Sequence, residues 1–178
     1  MSILKVARMG HPVLRAKAKA LSPGDIKHSV VQQLIDDMID TMIEYHGVGL
    51  AAPQIHEGLR IFVGMLDSPK PDGDQDSDLE PTVLVNPEIT SIGSDIVDDW
   101  EGCLSIPDIR GRVPRTREIR LRGLNREGGR VDMTLTDFAA RVAQHETDHL
   151  DGVLFFDRMK SFETLTFIEE YSRYHAKD

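Results

Sequence analysis

The segment QHETDHLDG, from Gln144 to Gly152, carries His145 and His149 four positions apart, with Glu146 directly after the first. On a helix, positions i and i+4 share a face one turn apart, so both imidazoles can point at one cation. Glu146 is rotated away from that line and can stand beside the ion, where a water would be bound. Two ligands plus a general base is the logic of the HExxH pattern. The same letters also fit a solvated helix holding two histidines and an acid, so the chemistry depends on a third ligand.

Two residues compete for that place. Glu169 follows His149 by twenty positions, a spacing that suits a glutamate-ligated metallopeptidase. Its neighbours Glu163 and Glu170 make an ordinary solvated face the more natural reading. Cys103, the only cysteine, lies in WEGCLSIP beside Gly102, where a tight bend can aim the sulfur. Free cysteine also serves as a small buried hydrophobe. The metzincin extension fails, because Phe155 stands where a third histidine is needed. A third segment, GVGLAAPQ (Gly47 to Gln54), has glycines that let backbone approach a ligand and an amide able to donate to an oxygen. Alone, it reads as a turn that ends a helix.

These residues need elements to hold them. Asp25 to His46 reads as one helix: Ile26, Val30, Leu34, Met38 and Met42 form an i+4 row beside Val31, Ile35, Ile39 and Ile43, and Gly47 stops it. Arg60 to Leu66 and Thr82 to Pro87 read as strands, and Glu88 to Asp99 as further strand broken by a turn near Gly93. Ile119 to Leu135 reads as a hairpin, with Ile119 and Leu121 inward, Arg120 and Arg122 outward, and a turn at Asn125 to Gly129. Thr136 is placed to cap the next helix, in which Phe138, Val142, His145 and His149 share one face; Gly152 ends it. Ser161 to about His175 reads as a terminal helix, with Phe162, Leu165, Phe167 and Ile168 for packing. The acidic stretch Asp67 to Pro81 reads as a mobile surface loop. The expected class is α+β: antiparallel strands packed around a central metal-bearing HExxH helix, with N-terminal and C-terminal helices.

Composition sets the outer bounds. The 178 residues suit one catalytic domain spanning 1–178, with 40% hydrophobic and 29% charged residues. A net charge of -9 argues against nonspecific nucleic-acid binding. One cysteine excludes an internal disulfide and fits a reducing compartment. The N-terminus lacks the apolar run of a secretory signal, and no window approaches the ~20 apolar residues of a membrane span. The expectation is a cytoplasmic protein, with a processed organellar form left open.

Taken together, GVGLAAPQ, EGCLSIP and QHETDHLDG, in this order and in a chain of this length, closely resemble peptide deformylase. The resemblance covers most of Met1 to Phe156. That family removes the formyl group from the N-terminal methionine of new polypeptides in bacteria and organelles. The resemblance implies that Cys103, His145 and His149 are the metal ligands, with one divalent ion per chain. Fe2+ is the usual native ion; Zn2+, Ni2+ or Co2+ can substitute. It implies Glu146 as proton carrier, with the Gln54 side-chain amide and the Leu104 backbone N–H as donors to the reacting oxygen. Gly47 and Gly49 would leave room for formyl but not a larger acyl group. Val48, Leu104, Phe138 and Val142 are candidates for the methionine pocket, though the last two also fit plain core packing. Arg110 matches a substrate-contacting position, and most of the arginines up to Arg130 read as outward strand residues. Glu101 and Asp151 read as supports.

The implied partner is an N-formylmethionyl nascent chain, with no membrane and no direct nucleic-acid contact. The tail SFETLTFIEEYSRYHAKD is of mixed charge and departs from the basic terminal helix with which certain bacterial members dock on the ribosome. Two other readings stay open: a zinc metallopeptidase using Glu169, and a non-catalytic metal-binding protein.

Overall fold

The computed structural model describes residues 2–66 and 80–176. Most of the acidic stretch read as a surface loop, 67–79, lies outside the described residues. Its frame is a six-stranded antiparallel sheet. The strands are β1 (Gly49–Ala51), β2 (Ile61–Gly64), β3 (Thr82–Cys103), β4 (Ile106–Leu124), β5 (Arg130–Thr136) and β6 (Thr166–Phe167). They lie in the order β1-β2-β3-β4-β5, with β6 pairing with β4 off that path. Among the described residues four α-helices accompany them: α1 (Pro23–Ile26), α2 (Ser29–Glu44), α3 (Asp137–Leu150) and a C-terminal α4 (Ile168–Tyr174). Among the described residues no helix is long and apolar enough to cross a membrane.

Side-chain alternation explains the layering. On β2, Ile61 and Val63 join the core beneath α2, with Ile35, Met38 and Met42. Phe62 points the other way, into the core beneath α3. On β3, Val83 and Val85 face α2, while Leu84 faces α3. Both faces are therefore covered, and β2 reads as an unbroken apolar run. Ala139, Ala140 and Ala143 present small side chains to the sheet and let α3 approach closely. A third core gathers Leu14, Ile106, Val113, Leu154 and Phe155 around Cys103.

Several elements depart from the sequence-based expectation. The helix over Asp25 to His46 is two helices, because His28 takes extended backbone and caps Ser29 onward through its side chain. Val30 and Ile43, placed on its apolar stripe, are exposed. His46, with φ 53, takes the left-handed turn assigned to Gly47. The break near Gly93 does not occur: β3 runs on as one strand and absorbs the positive φ of Gly93 in a register shift between Ile92 and Ile96. Thr136 is the N-cap residue of α3 but accepts no hydrogen bond with its side chain. The terminal helix starts only at Ile168, after β6, and Phe162 and Phe167 are exposed rather than packed.

Candidate functional site

Cys103 is the last residue of β3. It pairs with Ile106 of β4, so Leu104 and Ser105 form the tip of the hairpin. His145 and His149 come from α3, whose stripe they continue. One ligand atom from each of the three residues lies within 4.8 Å of the others. The Cys103 sulfur is 3.2 Å from His149 Nε2. One thiolate with two imidazoles is a donor set that suits zinc or iron.

The surroundings fix these side chains. Glu101 Oε2 holds His145 Nδ1 at 2.9 Å, which turns the other ring nitrogen free for a ligand. Gln54 follows β1 in a 3-10 turn; its Oε1 accepts from Ala51 N–H at 2.8 Å. Its Nε2 donates to Cys103 Sγ at 3.4 Å and to Ser105 Oγ at 3.3 Å. The N-terminal segment straps both loops, through Ala7 N–H to Gln54 O and Met9 N–H to Ser105 O.

Glu146 is buried, and its Oε2 has no hydrogen-bond partner among the described residues. Gly49 lies directly against it: a Cβ there would come within 2.3 Å of Glu146 Oε1. Burial pushes the Glu146 carboxyl up to about 7, tempered by His145 and His149, which is the range a general base needs. Burial would raise the Cys103 thiol too, yet His149 and His145 outweigh it and hold the thiol well below its ordinary value. Burial would lower His145, but its bonds to Cys103 and Glu101 raise it well above normal. Both shifts favour the charged form of the group, and a cation bound there would supply the positive charge that the thiol's neighbours now provide.

Beneath the cluster lies a buried ionic network absent from the sequence reading. Glu101 accepts from Arg115 Nε at 2.8 Å, from Arg115 Nη2 at 3.0 Å and from Arg141 Nη1 at 2.8 Å. Arg115 also reaches Asp148, which Arg158 grips with two bonds. Arg115 is therefore not an outward strand residue; it shares the inward parity of Val113 and Ile119. That parity was the available signal. For Arg141 the signal is its place one turn before His145. Asp151, read as a support, pairs with Arg60 beside a larger open groove of about 1120 Å³, away from Cys103, so its support is to the fold rather than to the ligands.

A cleft of about 430 Å³ opens over the cluster. Gly47, Val48, Gly49, Arg110, Phe138 and Val142 all line it, together with Gln54, Leu104 and Glu146. Val142 is buried, whereas Phe138 is exposed at the rim. A Cβ on Gly102 would strike the Arg110 guanidinium, whose Nη1 end lies against that glycine. Trp100 and Ile168, not anticipated, also reach the cleft. Glu169 is exposed on α4 and lies outside the converging ligand group, which removes the third ligand of the metallopeptidase reading.

Residues 3–164 match the family model described as polypeptide deformylase. A relative named peptide deformylase 2, from Nostoc sp., is 43% identical over 176 residues, covering 99% of this chain and 97% of the relative. A peptide deformylase of Heliobacterium modesticaldum is 43% identical over 161 residues, covering 90% and 97%. Among solved structures, the peptide deformylase of Thermotoga maritima superposes with a TM-score of 0.79 at 37% identity, covering 90% of this chain and 100% of that one. A class I type b peptide deformylase of Acinetobacter baumannii, bound to Met-Ala-Ser, gives 0.79 at 37% identity, covering 89% and 99%.

Proposed function

The chain belongs to the polypeptide deformylase family, and on that premise we propose how its own residues carry the reaction. It is a hydrolase that removes the formyl group from the N-terminal formylmethionine of newly made polypeptides. Water adds to the formyl carbon, the C–N bond breaks, and the products are formate and a free amine. The family is metal-dependent, and Cys103, His145 and His149 fit one divalent ion by donor chemistry and proximity. Such an ion, Fe2+ in our reading with Zn2+, Ni2+ or Co2+ as substitutes, supplies Lewis acidity and hydroxide near neutral pH.

The remaining tasks fall to the chain. Glu146 takes a proton at its unpartnered Oε2 and returns it to the departing amine. Gln54 Nε2 and the Leu104 backbone N–H donate to the formyl oxygen as it gains charge, each contributing ~2.7–4 kcal/mol. Glu146 packed on Gly49 and Leu104 packed on Gly47 narrow the space beside the reacting carbon, so formyl fits and bulkier acyl groups do not. Val142 forms the floor and Val48 and Phe138 the rim of a pocket for the methionine side chain. Arg110 stands where the peptide leaves. Residues 1–178 act as one catalytic domain, which we place in the cytoplasm.

The observation that carries this reading is the meeting of the cysteine with both histidines beside a buried carboxylate that has a free oxygen. Glu146→Gln tests it, by metal analysis and by formate release from formyl-Met-Ala. We expect metal retained and turnover reduced by ~10²-fold or more. Undiminished turnover would show that Glu146 does not carry the proton; a metal-loaded parent chain that releases no formate would favour a purely metal-binding protein.

A further inference from the structure

The cleft extends past the ligand cluster to a wall made by the C-terminal segment. Trp100 of β3 and Ile168 of α4 both line it. The Trp100 indole is held edge-on by Tyr171, with ring centroids 5.0 Å apart, and lies against His175 at 5.1 Å. β6 brings α4 to this place by pairing Phe167 with Ile109 and Thr166 with Arg110, the latter a residue of the cleft lining. α4 contributes no fully buried residue. Its packing therefore adds little to the core, and what it does shape is one end of the cleft.

We propose that Thr166–His175, docked through Trp100, is the outer wall of the substrate cleft and binds the residues that follow methionine in the nascent chain. This rests on the deformylase reading. A volume of about 430 Å³ lies within the range of sites that enclose ligands larger than a single side chain. The cluster and the wall bound one continuous cleft, so a peptide whose formyl group sits at Cys103 leaves along Arg110 toward Trp100 and Ile168. The indole and the isoleucine offer an apolar surface there, so the wall favours apolar side chains at the second or third substrate position.

Trp100 is the chain's single tryptophan, so its emission reports on this wall alone. Titrating the metal-loaded protein with the product peptide Met-Ala-Ser should change that emission, whereas methionine amide should leave it unaltered. Tyr171→Ala keeps the fluorophore and should weaken the tripeptide response several-fold. In turnover, the ratio of kcat/KM for formyl-Met-Ala-Ser to that for formyl-Met-amide should fall about 5- to 10-fold in Trp100→Ala, chiefly through KM. It should fall likewise in a chain ending at Leu165. An emission that ignores the saturating tripeptide, or an equal loss on both substrates, would overturn the proposal. Failure of the unmutated protein to release formate from either substrate would instead sink the deformylase reading, while the emission titration would still judge the wall.

Discussion

Glu101 shows how much a single side chain does below the site. Its two oxygens accept from Arg115, Arg141 and His145 at once. Burial works against its charge, but the bonds from Arg115 and His145 prevail and hold the carboxyl below the ordinary carboxylate range. The native state thus binds this proton more weakly than the unfolded chain does. Glu101 therefore stabilises the fold above the unfolded value of about 4.3, and that contribution fades as pH falls through the depressed native value. Glu101→Gln strands two buried arginines, and we expect a loss of about 3–5 kcal/mol at neutral pH in urea denaturation of the chelated protein. The gap to the parent should persist to a pH of about 4 and close only below it; a gap independent of pH would contradict this. The two histidines and Glu146 were legible from spacing, because all three sit within five residues on one helix. Cys103 was open to a rival until the family resemblance entered, because a ligand in another strand leaves no periodic trace. Arg115 was not singled out for a related reason: alternation gives the face of a strand, but not which charged partner waits beneath it.

Among the elements, α3 depends on how it stops. Gly152 has φ 74, and a Cβ there would come within 2.6 Å of the Arg15 carbonyl oxygen. The position needs both the left-handed backbone and the missing side chain. Gly152→Ala should cost at least ~1–2 kcal/mol from the backbone alone, lowering the melting temperature by roughly 2–8 °C; an unchanged melting curve would show that the turn can relax. The helix end was readable because glycine leaves a local mark. The hairpin from Ile119 to Leu135 was readable for the same kind of reason, since alternation and the turn at Asn125 to Gly129 are neighbours in sequence. β3 was not. Gly93 suggests a turn, and only pairing with β4 shows that the strand carries on through a bulge. The terminal helix was overextended because Phe162 and Phe167 look like packing residues, yet no core lies opposite them.

At the scale of the molecule, the ligand cluster ties the β3–β4 hairpin tip to α3. A bound ion should therefore stabilise the whole fold, by about 2.7 kcal/mol at a free concentration one hundred times its Kd. Chelation should abolish formate release and lower the melting temperature while leaving one cooperative transition; equal melting with and without ion would refute the link. Strand order and the two-sided burial of the sheet were not legible, because they depend on pairings far apart in the chain. The class, antiparallel strands with few helices and one at the C-terminus, was.

The hairpin-tip sulfur partners a ring nitrogen 46 positions later in the chain. Those two atoms meet at the junction of the sheet with α3, and the apolar packing on both faces of the sheet does not run through them. We therefore expect the fold to stand before its ion is bound, unlike a zinc finger, whose small fold waits for its ion. A cell starved of the ion would hold a reserve of shaped but idle enzyme, ready to work on resupply without new synthesis.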